Sequence, residues 1–306
     1  MSRIIPIIVV LAAAAAQAQS NEELERRERC AVRVSIAITG KAPSADMLAS
    51  LDPQARADAL LDTTDFIDRY ARFVNMKWNR TPGATSEEDA PFHLAWKILQ
   101  ERKPWKEMFL GAYKVVKVND QIKIEPDANG LGYFNSPAWM KRYAGNEPSG
   151  IQLSRAYRIM NNTIGLKLTP STNAPDADIS ATGRSAVGCR GCHYDGMYAL
   201  DLAASLLPKR MGTDAATMTF EPPATPPTVT LMGGHTMTSE REFVTTLVES
   251  ESFRFNTCRM AFNYLFGRNE NRCEAHAFDR CMKEFRNNGT LQSAVAAIVK
   301  DPAFCQ

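Results

Sequence analysis

The sequence has almost no excess charge of either sign. Its 306 residues hold 36 basic and 34 acidic side chains, a formal net charge of +2. A chain so balanced has no electrostatic footprint for nucleic acid, and none is expected as a partner. Histidine is scarce, with four in the whole chain, and Ser, His and Asp fall into no recognisable hydrolase arrangement. A glycine-rich phosphate loop is missing, as is any internal repeat. No run reaches the roughly 20 apolar residues needed to span a bilayer, so no stable membrane span is expected. Sustained alternation of apolar and polar residues is also missing, which leaves no strand to expect. Disorder is excluded by ordinary proportions: 44% hydrophobic, 23% charged, 17 glycines and 17 prolines. The length suits one large or two modest domains, each able to bury a core.

The first residues read as an export signal. Arg3 supplies a positive end, residues 4–16 are apolar apart from Pro6, and Ala16-Gln17-Ala18 is a small-x-small cleavage site. Residues 1–18 are therefore expected to be removed, leaving a periplasmic or secreted protein in a compartment where disulfides form.

Beyond the signal the pattern is helical, and the expected class is all-α. Ser20 and Glu23 make a capping box for a helix running toward Cys30 and stopping near Gly40. Thr64 precedes an apolar stripe of Phe66, Ile67, Tyr70, Phe73, Val74 and Trp78. Ser239 and Glu242 open another helix. Cys258, Ala261, Phe262, Leu265 and Phe266 form a stripe closed by Gly267, and Leu291, Ala294, Val295, Ile298 and Val299 form the last, ahead of Pro302. Two proline-dense stretches, 168–187 and 208–237, read as loops, because prolines so placed break helices. They frame an N-terminal helical part (19–135), a middle part (136–237) and a C-terminal helical part (238–306).

The middle part contains Cys189-Arg190-Gly191-Cys192-His193, the spacing that attaches a c-type haem. Two cysteines three apart on one turn can each form a thioether with a porphyrin vinyl group. The histidine that follows is carried beneath the ring, where it can bind iron as the proximal ligand. Gly188 and Gly191 keep side chains away where backbone would meet porphyrin. Chance alone would produce this pattern in roughly two such sequences per thousand, from the chain's own Cys and His frequencies. A thioredoxin-like pair would need a βαβ setting, and a zinc site two further ligands in a second paired set; neither is present. The expected cofactor is one haem c.

The ligand on the opposite side of the iron stays open among Met211, Met218, Met232, His235 and Met237, with His93 an outsider. Met197, read as lying on the same helix as His193, is set aside. A methionine there would raise the reduction potential relative to a second histidine, and an empty position would admit small molecules. Of the five other cysteines, Cys273 and Cys281 flank a turn-like stretch and are the first expected pair. Cys258 and Cys305 are the second, leaving Cys30 single. Trp78, Trp96, Trp105 and Trp139 sit in helical contexts and read as core.

Several stretches together resemble exported bacterial proteins built from planctomycete-type, cytochrome-associated domains of unknown function. Toward the N-terminus these are Ile38-Thr39-Gly40-Lys41-Ala42-Pro43-Ser44, residues 55–61 and Phe66-Ile67-Asp68-Arg69-Tyr70-Ala71-Arg72-Phe73. In the middle they are Gly132-Tyr133-Phe134 through Trp139, and Ala156-Tyr157-Arg158. At the end they are residues 253–268, with Tyr264-Leu265-Phe266-Gly267-Arg268, and Asp301-Pro302-Ala303-Phe304. The resemblance implies a helical, exported haem protein and assigns no substrate.

The leading expectation is a monohaem c-type cytochrome that passes single electrons between protein partners, its redox partner protein unidentified. The competing expectations are a haem enzyme with an open distal site, peroxidase-like in kind, and a binding or assembly module whose haem is auxiliary.

Overall fold

A computed structural model of the chain describes residues 5–168 and 176–306, and side chains from residue 21 onward. Arg3 lies outside the described residues, as do Pro170, Ser171, Thr172 and Pro175 of the first expected loop. Helices dominate, but the all-α expectation is wrong: three two-stranded antiparallel hairpins stand among them. Strand β1, Tyr113–Val118, pairs with β2, Gln121–Pro126. The signal for this hairpin is present in the sequence. Ile122 and Ile124 alternate with Gln121, Lys123 and Glu125, a period of two. The connection is Asn119-Asp120, both with positive φ (50° and 61°), the conformation a two-residue I′ turn demands. At six residues each the strands are too short for their alternation to stand out against the surrounding helical pattern.

The other hairpins lie in the stretch 208–237. Strand β3, Lys209–Met211, pairs with β4, Thr219–Glu221, and β5, Val229–Leu231, with β6, His235–Met237. Pro222, Pro223, Pro226 and Pro227 sit between strands, where no ladder donor is lost.

The compact units do not follow the division at 135 and 237. One unit joins the chain through Tyr70 to the chain from Cys258 onward, and the other is Ala71–Thr257. In the first unit, a helix runs unbroken over Ile5–Thr39, so Ser20 opens nothing, and it ends before Gly40 as expected. Gly40 has a φ of 74°, and a Cβ there would meet the Arg69 guanidinium at 3.2 Å. That guanidinium donates to the carbonyls of Ile36 and Ala37, closing the helix C-terminus. Tyr264 donates to the Ile38 carbonyl and packs on Tyr70, with ring centroids 4.7 Å apart. Residues that carry the resemblance at both ends of the sequence therefore meet in one cluster, where capping and aromatic packing account for them.

The expected disulfides are also wrong. Cys30 bonds Cys305, and Cys258 bonds Cys281; Cys273 is an exposed free thiol. Sequence proximity misled, because Cys273 sits in the short turn Arg272–Glu274, while Cys281 lies on the buried face of helix Ala275–Asn288. Cys258 belongs to helix Glu251–Phe266 and is fully buried. Among the described residues no helix is long and apolar enough to cross a membrane.

The second unit has an aromatic core. Trp78 stacks on Tyr133 at 5.6 Å, and Trp139 meets the edge of the same ring at 5.5 Å. Trp78, Trp105 and Trp139 are core residues as expected; Trp96 is half-buried beside a surface groove that it forms with Phe92, His93, Ile122 and Ile124. Helix Leu153–Ile164 packs against helices Leu200–Ser205 and Glu240–Glu249. Ser239 caps the last of these by accepting from the Glu242 N–H, as expected. Arg155, fully buried, donates to the Glu240 carboxylate at 2.5 Å and to Asn135 Oδ1 at 2.9 Å. Its Nε and Nη1 have no partner among the described residues. Burial pushes Glu240 up and Arg155 down, each against the other's attraction, so desolvation outweighs the pairing.

Two measurements check this fold. Mapping of non-reduced peptides should recover Cys30 linked to Cys305 and Cys258 to Cys281, and Cys30→Ser should cost about 2–5 kcal/mol of stability. Arg155→Met alone should destabilise by about 3–5 kcal/mol, whereas the double change with Glu240→Leu should recover most of that loss in chemical denaturation.

Candidate functional site

The residues around the cysteine–histidine motif form a short chain of turns. Ser180 caps helix Ala181–Ser185 by accepting from the Gly183 N–H, and Asp178 accepts from the Ser180 N–H. A Cβ on Gly183 would stand 1.9 Å from the Asp178 carbonyl oxygen, so only glycine permits this approach. A single helical turn, Val187–Arg190, then widens into a π-turn, Gly191–Asp195, of the kind found at functional sites. Arg190 bridges the π-turn to Asp195. Gly196 ends it in an extended conformation, and its Cβ would collide with the Gly191 carbonyl. Met197 therefore lies beyond the helix, not on it.

This brings Cys189, Cys192 and His193 onto one continuous stretch of turn. Cys189 is half-buried and Cys192 exposed, and neither takes part in a disulfide. Close by in the chain, three apolar side chains are left uncovered by the described residues: Val187 is 96% exposed, Ile179 73% and Met197 60%. Gly188 and Gly191 differ from Gly183 and Gly196. Neither has a positive φ, and a Cβ on either would meet nothing within 4 Å. Glycine costs up to about 1 kcal/mol against alanine in a helical turn, and no packing by the described residues offsets it at these two positions.

His193 is fastened from below. Its Nδ1 lies 2.6 Å from Asp201 Oδ2, in the first turn of helix Leu200–Ser205. Asp201 is 4% exposed and accepts three partners. Arg184 Nη2 stands 2.9 Å from Oδ1, with Arg184 Nε 3.0 Å from the same oxygen, and the Tyr194 hydroxyl donates to it at 3.2 Å. Arg184 also faces Glu147 at 3.1 Å. A carboxylate accepts, so Nδ1–H is the donor in this pair, and in the neutral ring that tautomer puts the lone pair on Nε2. Burial pulls Arg184 down, but the bonds and charges of Asp201 and Glu147 outweigh it and hold it raised. Burial, and then the Asp201 charge, push Tyr194 up and keep it a donor. Asp201, Arg184 and Tyr194 escaped notice in the sequence, where an acid in a helix's first turn is commonplace.

The five candidates for the opposite side of a metal are not brought together. Met237 is buried at 1% exposure in β6, and packing accounts for it. Met211 on β3 and His235 on β6 are exposed, and Met218 is half-buried just ahead of β4. Met232 is half-buried at the tip of the β5–β6 hairpin, with a φ of 53°, and its N–H donates to the Met197 carbonyl at 2.8 Å. Among the described residues it is the one of the five whose main chain hydrogen-bonds to the segment that follows His193. His93 approaches the Ser86 carbonyl through Nε2 at 3.1 Å, and burial lowers its pKa.

Among the described residues no group of three or more His, Cys, Asp and Glu side chains could hold a metal ion, so no zinc-type set exists there. No protein-family model, curated protein or solved structure matches the chain.

Asp201→Ala removes the common acceptor and leaves buried Arg184 with only the Glu147 carboxylate and the Ile179 carbonyl among the described residues. It should cost about 3–5 kcal/mol and open residues 176–205 to limited proteolysis. Tyr194→Phe should cost no more than about 1.5 kcal/mol and leave cleavage there unchanged.

Proposed function

We propose that the chain is an exported, periplasmic or secreted monohaem c-type cytochrome that passes single electrons between protein partners. Cys189 and Cys192 hold the haem through thioethers, and His193 binds its iron through Nε2. The observation that carries this reading is the division of labour within the motif. Both sulfurs stay outside the disulfides on one turn, while the adjoining imidazole has its Nδ1 engaged by a buried carboxylate.

The surroundings fit the group. Exposed Val187, Ile179 and Met197 offer apolar surface for a porphyrin to cover. Gly188 and Gly191, which the chain's packing does not require, leave the backbone open to close approach. Bound there, haem supplies an iron that takes up and gives back one electron at a time. Asp201 fixes the imidazole plane and tautomer, and the turn between Gly191 and Asp195 sets the spacing between sulfurs and nitrogen. The two disulfides suit an oxidising compartment, where such attachment is made. The resemblance to cytochrome-associated domains points the same way and names no substrate.

Expression together with a haem c maturation system tests the reading. The exported protein should stain for haem on a denaturing gel and titrate as a single one-electron couple. Cys189→Ala with Cys192→Ala should abolish the stain, while Cys273→Ser should keep it in full. The ferric protein should be low-spin and unmoved by cyanide; a high-spin haem that takes cyanide readily would instead favour the enzyme with an open distal site.

A further inference from the structure

We infer that Asp201 is the positioning residue that holds the reduction potential of this site low, with Tyr194 and Glu147 setting how strongly it does so. The inference rests on the haem reading above. A neutral acceptor behind the Nδ1–H of a ligating histidine leaves the imidazole an ordinary neutral donor. A carboxylate in that place draws the proton toward itself and makes the ring more anionic and more basic at Nε2. A more basic ligand stabilises the higher oxidation state of the metal it binds. Here the acceptor is a carboxylate at 2.6 Å, and burial at 4% exposure keeps water from screening it.

The carboxylate is shared, and the sharing fixes the sign of each neighbour's effect. Oδ2 accepts from His193 and, at 3.2 Å, from Arg184 Nε, whereas Oδ1 accepts from Arg184 Nε and Nη2 and from the Tyr194 hydroxyl at 3.2 Å. Each competing donor withdraws electron density that would otherwise reach the imidazole. Arg184 is in turn offset by Glu147 at 3.1 Å. Formal charges of one cation and two anions leave the cluster behind His193 with a net −1. A site built this way favours the oxidised resting state and serves as the reductant toward its partner.

The test is a spectroelectrochemical titration of the haem-loaded protein and three variants, each first checked for one haem per chain by mass. Asp201→Asn should move the midpoint potential positive, and Glu147→Gln should move it positive by less. Tyr194→Phe, which removes a competing donor, should move it negative. A residue that merely props the segment open would move all three in one direction or none. Equal-signed or absent shifts with haem fully loaded therefore overturn the inference and leave the haem reading standing. A wild-type chain that takes up no haem overturns both. Should Asp201→Asn fail to fold, the opposite signs expected for Glu147→Gln and Tyr194→Phe decide the matter alone.

Discussion

One buried carboxylate organises the exposed end of the second unit. Residues 185–192 are surface from end to end apart from half-buried Cys189, and no core side chain anchors them. Asp201 does so at a distance, accepting from Arg184 ahead of the turn and from His193 and Tyr194 within it. A carboxylate has about four lone-pair sites, and here nearly all are used. A charged acceptor inside protein is tolerated only when satisfied in this way, so its partners depend on Asp201 more than it depends on any one of them. Arg184 answers that charge and is shared with Glu147 at 3.1 Å.

The support for Asp201 comes from a longer chain of packing. Helix Leu200–Ser205 rests on helix Leu153–Ile164, which is held to Glu240–Glu249 through Arg155 and Glu240 and borders the Tyr133 aromatic group through Asn162, whose Nδ2 donates to the Tyr133 hydroxyl. That accounts for much of the helical mass that a single haem would not need. It makes a packed floor under a small, solvent-facing turn. The unit formed by the two chain ends stabilises itself differently, through two disulfides and the Arg69–Tyr264–Gly40 cluster.

What could be read from the sequence divides along physical lines. Helices with long apolar stripes and glycine stops were legible: Gly40 and Gly267 end their helices with φ of 74° and 70°. The Cys189, Cys192 and His193 motif was legible as a spacing, and its chemistry is what the proposal supplies. The hairpins were not, since six-residue strands with Ile122 and Ile124 on one side carry few periods. Disulfide partners were not, because Cys30 and Cys305 lie 275 positions apart and only the folded chain makes them neighbours. Asp201 was not, since it stands eight positions beyond His193, and no local pattern encodes which acid a turn will bring beneath an imidazole. Sequence thus showed the motif and concealed the carboxylate behind it.

The most direct test is the intact mass of the exported protein after maturation in cells that attach haem c, taken under denaturing conditions. The account predicts one species heavier than the processed polypeptide by a single haem, and a Cys189→Ala, Cys192→Ala chain at the bare polypeptide mass. A wild-type chain at the bare mass would contradict it.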